Sequence, residues 1–434
     1  MGCNFCRNFE HHNILGLFII VVLVAAMVEC SSLNYTKYNK QVSSLRFNRI
    51  IKHLDKINKR PVLTIESPDG DIIDCVQKRK QLAFDHPLLK NHKIQKAPKE
   101  MPRGITNNVK KDNNNNNEDE DGSSHEMVGE GERGALKRQE WQMWHLNGTV
   151  CPKGTVPIRR SRVDDVFRAK SLYHYGKKQP RTPFSRRIHS DAPDVISGNG
   201  HEVRRNTASI FQAMNEFSLS QIWILSGSFD GPDLNSIEAG WQVSPELYGD
   251  NRPRLFTYWT SDSYQQTGCY NLLCSGFIQT NSKIAIGAAI SPVSSFAGSQ
   301  YDITILIWKD PKAGNWWMSF GDNTLVGYWP AELFTHLADH ATMVEWGGEV
   351  VNMRTNGQHT ETQMGSGHFA RESFGKSSYF RNLQIVDTDN SLMNVQGIST
   401  LAENTNCYDI KSSYSNEWGT YFYYGGPGNN PQCP

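Results

Sequence analysis

The chain has 434 residues, a formal net charge of +1 and 38% hydrophobic residues, enough for two modest domains with a core. Near-neutral charge points to no acidic or basic partner, and no basic-aromatic stripe suggests nucleic acid. The charge is nevertheless uneven. Residues 1–199 hold 33 Lys and Arg against 22 Asp and Glu, and residues 200–434 hold 12 against 22. A basic front and an acidic back can attract each other, an attraction that weakens as carboxylates protonate; two solvated faces that never meet are the other reading.

In chain order, Arg7 precedes an apolar run from Ile14 to Val28, followed by Cys30, Ser31 and Ser32. A basic start, an apolar core and a small-residue exit predict a secretory signal peptide over residues 1–30; the run is short for a membrane span. The chain is therefore expected outside the cell, in the apoplast or cell wall with the vacuole as an alternative, and away from any membrane once the signal is cleaved. Asn34 and Asn147 stand in N-x-T sequons that fit this route, though such sequons also arise by chance. Of nine cysteines, Cys3, Cys6 and Cys30 lie in or beside the signal. The remaining six, at 75, 151, 269, 274, 407 and 433, suit disulfides in an oxidising compartment. Cys269 and Cys274 enclose a short loop that could be stapled locally, and Cys407 with Cys433 would tie down the C-terminal tail. No C-x-x-C pair lies in the mature region, which argues against a zinc site or thioredoxin chemistry.

Residues 45, 47, 50, 51, 54 and 57 are apolar at helical spacing, and Pro61 ends that helix. "VLTIE" and "IIDCV" flank a Pro-Asp-Gly turn, a hairpin pattern. Residues 31–106 thus read as a small α+β unit. Residues 107–134, with five consecutive asparagines and almost no apolar side chains, read as a disordered linker. Residues 135–197 return to order and then run into "KKQPRTPFSRR", Lys177 to Arg187, a basic stretch expected to be exposed and open to a processing protease. From residue 198 short apolar or alternating runs recur between Gly, Pro, Asn and Asp, and nine of the eleven tryptophans follow residue 200. This texture predicts an all-β domain, an antiparallel β-sandwich, whose tryptophans are mostly core. Only "AELFTHLADHA" has a helical pattern there.

The search for chemistry excludes several classes. There is no G-x-S-x-G elbow, P-loop or dinucleotide fingerprint. His336 and His340 share helical spacing, but Leu337 stands where a zinc peptidase needs Glu, so no metal or other cofactor is expected. "GSGHF" around Ser366 reads as a structural turn. Carboxylates remain. Glu238 in "SIEAGW" and Glu349 in "VEWGGEV" each sit inside an apolar, strand-like run. Two carboxylates held close cannot both ionise easily, which yields an acid and a base from identical side chains. Such a pair can activate a water and protonate a leaving group. The alternative is that each is paired with an arginine or a backbone amide. Glu345, at an even spacing from Glu349, is a competing candidate on the same strand face.

At these residues the chain resembles the neprosin family of plant secreted glutamic peptidases. The resemblance rests on "DLNSIEAGWQVSPELYGD", "FTYWTSDSYQQTGCYNLLCSGFIQTN", "GAAISPVSS", "WWMSFG", "GYWPAELF", "WGGEV", "QMGSGHF" and "GTYFYYGGPG", between Glu216 and Cys433. "SPDGDIIDCV", "AFDHPLLKNHKIQ" and "CPKGTVPIRR" resemble the family's activation peptide. The chain departs from the pattern at 201–216, which is shorter and polar, with Arg204 and Arg205 where an apolar strand is usual.

The resemblance implies a β-sandwich over residues 198–434 with Glu238 and Glu349 as catalytic pair, and makes Glu345 a neighbour. It implies disulfides Cys269–Cys274 and Cys407–Cys433, acid-favoured cleavage after proline, and a basic propeptide that acts as intramolecular inhibitor until released. The substrate is then a proline-containing peptide or protein. Trp241, Trp259 and Trp346 are candidates for an aromatic wall against the proline ring, and Gln242 for stabilising the oxyanion, all by sequence proximity. Two further readings stand beside this one: a non-catalytic sandwich whose cleft binds cell-wall glycan or proline-rich protein, and an inactive paralogue.

Overall fold

The computed structural model describes residues 44–105, 141–145, 148–178, 197–199, 216–228, 231–352, 354 and 358–434. The signal segment, both sequon asparagines, the asparagine-rich stretch and residues 201–215 of the departing segment lie outside them. The chain divides into two compact units, Met1–Lys56 and Ile57–Pro434. In the first, residues 44–56 are helical (α1), with Ile50 and Leu54 buried and Leu45 and Phe47 exposed. Among the described residues no helix is long and apolar enough to cross a membrane.

The second unit begins with the hairpin that the sequence predicts. Strands β1 (Leu63–Glu66) and β2 (Ile72–Gln77) pair antiparallel. Their turn is closed by the Ser67 amide donating to the Asp71 carbonyl at 2.9 Å and places Gly70 at φ +88°, a backbone conformation that L side chains resist. β3 (Thr155–Arg159) adds to the other side of β2, and a disulfide between Cys75 and Cys151 links the strand to the segment leading into β3. That pairing completes the set of six cysteines. A short helix, α2 (Val163–Arg168), follows.

The remainder is antiparallel β-structure. One sheet contains β5 (Ser218–Ser226), β6 (Asn235–Val243) and β7 (Arg254–Thr260), a meander, with β12 (Met343–Val350) added at the edge beside β5, so that its order is β12-β5-β6-β7. A short helix, α3 (Pro245–Tyr248), joins β6 to β7. The other sheet has eight strands. It is assembled from β4 (Ser197–Asn199), β8 (Ile278–Gln279), β9 (Asp302–Lys309), β10 (Trp316–Phe320), β11 (Thr324–Trp329), β13 (Ser378–Phe380), β16 (Asp409–Ser415) and β17 (Gly419–Gly425). Its order is β16-β17-β13-β4-β9-β10-β11-β8. A small hairpin, β14 (Gln384–Val386) with β15 (Leu392–Asn394), stands apart. The disulfides Cys269–Cys274 and Cys407–Cys433 are both present.

The two sheets enclose one core. Ile222, Ile237, Trp241, Leu255 and Trp259 belong to one buried cluster with Trp308, Trp317, Met318, Phe380 and Phe422. Truncating one such tryptophan to alanine costs about 3–5 kcal/mol. Ala83 and Leu89, from the segment after β2, belong to the same core, and the Gln81 side chain exchanges two hydrogen bonds of 2.9 Å with the backbone of Gln279. The front segment is thus packed into the sandwich itself.

One helix predicted from sequence is absent. "AELFTHLADHA" forms a single 3-10 turn at Ala331–Leu333 and then turns away. The buried Asn235 explains this: its Oδ1 accepts from the backbone amides of Thr335, His336 and Leu337, which are then lost to a helical ladder.

Candidate active site

Strand alternation decides which side chains share a face. On the four-stranded sheet the core face carries Ile222, Ile237, Trp241 and Trp259, and the opposite face carries Gln221, Trp223, Glu238, Gln242, Tyr258 and Glu349. The register runs in rows. Glu345, Trp223, Glu238 and Tyr258 form one; Gly347, Gln221, Gly240 and Phe256 the next; Glu349, Leu219, Gln242 and Arg254 the third. Glu238 and Glu349 therefore lie diagonally across the glycine-flanked row. Gly240 is obligatory: a Cβ there would lie 1.9 Å from the Ser220 carbonyl oxygen. Gly348, on the other face, would drive a Cβ to 2.8 Å from Met364.

Both glutamates reach the same cation. Lys178 Nζ is 2.6 Å from Glu238 Oε2 and 3.2 Å from Glu349 Oε2. The side chains of Lys178, Glu238 and Glu349 are 9%, 0% and 10% exposed. The other oxygen of Glu238, Oε1, accepts from Ser236 Oγ at 2.7 Å and from Tyr264 Oη at 2.8 Å. The ammonium also lies 5.6 Å and 5.8 Å from the ring centres of Tyr258 and Tyr264. Tyr258 packs against Tyr270 at 4.8 Å. Burial raises the phenols of both above their ordinary range, and for Tyr270 the charges of Glu349 and Glu238 add to the effect.

A cavity of about 440 Å³ opens along the β12 edge, lined among others by Trp223, Glu345, Trp346, Glu349, Leu401 and Tyr408. Glu345 belongs to this wall. Of the tryptophans expected to line the site, Trp346 borders the cavity, but Trp241 and Trp259 are 1% and 2% exposed in the inter-sheet core. The reason is parity: an odd spacing from Glu238 puts Trp241 on the opposite strand face. Trp223 and Tyr258, which the sequence reading passed over, occupy the glutamates' face; the same parity argument from their strand partners would have found them once the register was known. Gln242 is fully buried and its amide has no hydrogen-bond partner among the described residues; Leu219 separates it from Glu349 in its row. The basic stretch from Lys177 also needs correction at its start, because Lys178 is buried between the glutamates rather than exposed. His336 pairs with Asp233, and His340 with Asp339. His359, Cys407 and Cys433 offer ligand atoms within 4.8 Å of one another, but both sulfurs are held in a disulfide.

A second buried charge cluster ties the front segment to the sandwich. Asp71 accepts from Arg159 at 2.9 Å and from Arg254 on β7 at 2.5 Å, and Arg254 also pairs with Asp250 at 2.7 Å. Burial by itself pushes the Asp71 carboxyl up, but the charges and hydrogen bonds of Arg159 and Arg254 outweigh it and hold it below the usual range. Here the front segment supplies the acid and the sandwich the base, the reverse of the Lys178 contact.

Comparison with known proteins agrees with the sequence resemblance. Residues 214–427 match the Neprosin family and residues 64–204 match the Neprosin activation peptide. The chain belongs to the neprosin family, a peptidase carrying its activation peptide ahead of the catalytic sandwich. A solved structure, aspergilloglutamic peptidase from Aspergillus niger, is similar over 48% of this chain and 97% of its own, at 11% identity and a TM-score of 0.24. Lys178 falls within the activation peptide, and Glu238 and Glu349 fall within the sandwich.

Proposed function

We propose that the chain is the zymogen of a secreted glutamic endopeptidase that hydrolyses peptide bonds after proline with Glu238 and Glu349. The observation that carries this reading is the shared contact with Lys178: two buried carboxylates from different strands converge on one ammonium. A buried charge group is tolerated only when paired, and here the pairing group comes from a segment that is to be removed. Once the activation peptide leaves, the carboxylates face each other across a space that held a primary amine, a polar group close in size to water.

In the free site one glutamate is ionised and takes a proton from water as its oxygen attacks the scissile carbonyl carbon. The other, protonated, donates a hydrogen bond to the carbonyl oxygen. The tetrahedral intermediate then breaks its C–N bond while the amine nitrogen takes up the proton removed from water. Ser236 and Tyr264 hold Oε1 of Glu238 and leave Oε2 directed into the site. The rings of Trp223, Tyr258 and Tyr264 support the prolyl preference, because a pyrrolidine ring packs favourably on aromatic faces.

The test is cleavage of a quenched proline-containing peptide at low pH by the full chain and by Glu238→Gln and Glu349→Gln. Activity in the parent alone, at a bond following proline, is expected. Full activity in either variant sinks the pair, and cleavage without regard to proline sinks the specificity.

A further inference from the structure

Gln221 occupies the centre of the site. It lies at mid-strand in β5, between Gly240 on one side and Gly347 on the other, so neither of its immediate neighbours in the row carries a side chain. Two residues along the strand in one direction is the partner of Glu238, and two in the other is the partner of Glu349. The residue is 0% exposed, and neither Oε1 nor Nε2 has a hydrogen-bond partner among the described residues. Tyr270, 5% exposed, likewise leaves its hydroxyl without one, and its ring packs 4.8 Å from that of Tyr258, the strand partner of Glu238. An unpaired buried polar group costs about 1–3 kcal/mol, and native proteins leave few of them. Gln242 is a third such group on this face, set apart from Glu349 by Leu219; Gln221 and Tyr270 are donors kept for something that arrives later.

We propose that the Gln221 amide and the Tyr270 hydroxyl form the oxyanion pocket of this enzyme. This rests on the glutamate-pair reading above. When water adds to the carbonyl carbon, the C=O electron pair moves onto oxygen. Nε2–H of Gln221 and Oη–H of Tyr270 donate to that oxygen and transfer no proton. As the C–N bond breaks, the electron pair returns to re-form C=O, and both donors are again unpaired. The raised phenol of Tyr270 keeps it a donor throughout. Gly347 beside Gln221 has open space where a side chain would stand, its nearest neighbour being Trp223 at 3.9 Å, and leaves room for the substrate carbonyl. In the zymogen Lys178 holds the carboxylates and leaves these donors unused, so the pocket is already formed before activation.

The test compares Gln221→Met and Tyr270→Phe with the parent and with Glu238→Gln, all as full-length chains at low pH on the same quenched peptide. Each pocket variant is expected to lower kcat about 10²- to 10³-fold, with KM within about twofold. Each is also expected to leave the melting temperature unchanged or raised, because it removes an unpaired polar group from a buried position. A merely structural amide or hydroxyl predicts the reverse: a lowered melting temperature or failure to fold, and a kcat per folded molecule close to the parent's. Either that pattern or a kcat within threefold of the parent overturns the proposal. If the parent cleaves, Glu238→Gln does not and Gln221→Met does, the pocket alone is wrong. If the parent does not cleave, or Glu238→Gln does, the glutamate pair falls and the pocket with it.

Discussion

Lys178 and Glu238 form a buried ion pair, with Nζ 2.6 Å from Oε2 and the carboxylate fully shielded from solvent. The pair joins the activation peptide to the sandwich at the proposed seat of catalysis. Replacing the ammonium by an isosteric apolar end in Lys178→Met removes the group that both carboxylates share. The unprocessed chain is expected to gain at least about tenfold in peptide cleavage, because removing one partner of a buried ion pair leaves the other charge uncompensated, at about 3–5 kcal/mol, and loosens the segment that covers it. Cleavage should be followed alongside chain length on a gel. A latent activity equal to the parent's would mean that Lys178 fills the site without restraining it.

Asp71 supports a second expectation, with a definite pH sense. Its carboxyl is held below the ordinary aspartate range, so its contribution to stability is complete above about pH 4 and is lost only as pH falls through the lowered value. The Asp71 tie therefore survives mild acid and yields in strong acid. Asp71→Asn leaves Arg254 buried with Asp250 as its remaining carboxylate partner and should cost about 3–5 kcal/mol at neutral pH. Denaturant unfolding of the full chain at pH 7 and pH 3 measures this: the gap between parent and variant should narrow at the lower pH. A gap that widens in acid would reverse the assignment.

The hydroxyls of Ser236 and Tyr264 position Glu238 through its Oε1. Ser236→Ala and Tyr264→Phe are each expected to reduce kcat about tenfold while KM stays within twofold, because a mis-aimed carboxylate weakens the transition state and not the binding of peptide. An equal rise in KM with kcat unchanged would place both hydroxyls in substrate binding instead.

The Cys75–Cys151 disulfide spans 76 residues of sequence and encloses the asparagine-rich stretch. A protease that cuts between these cysteines should leave two fragments that migrate together on a non-reducing gel and separate on a reducing one. Cys75→Ser should release the front fragment after the same cut and lower stability by about 2–4 kcal/mol. Co-migration that persists in the variant would show that packing, through contacts such as Gln81 with Gln279, suffices to retain it.

Much of the candidate site was legible in the sequence. "SIEAGW" and "WGGEV" mark Glu238 and Glu349 by local pattern, and the hairpin around Gly70 follows from its turn residues. The misplacement of Trp241 was avoidable, because an odd spacing from Glu238 on one strand already assigns it to the other face. The failed helix at Ala331 was not avoidable: the amides that would have built it are taken by Asn235, about a hundred residues earlier in the chain.

The sequence by itself determined the strand texture, the motif residues, the cysteine set and the alternation that turns Glu238 and Trp241 to opposite faces, since each of these depends on neighbours a few residues apart. Only the tertiary structure decided that β12 pairs with β5, that Glu349 thereby lies across Gln221 from Glu238, and that Lys178 enters between them. Those relations depend on register between segments far apart in the chain, and on which surface covers a buried charge. A local pattern carries neither, because pairing and desolvation are settled by the whole packed sheet.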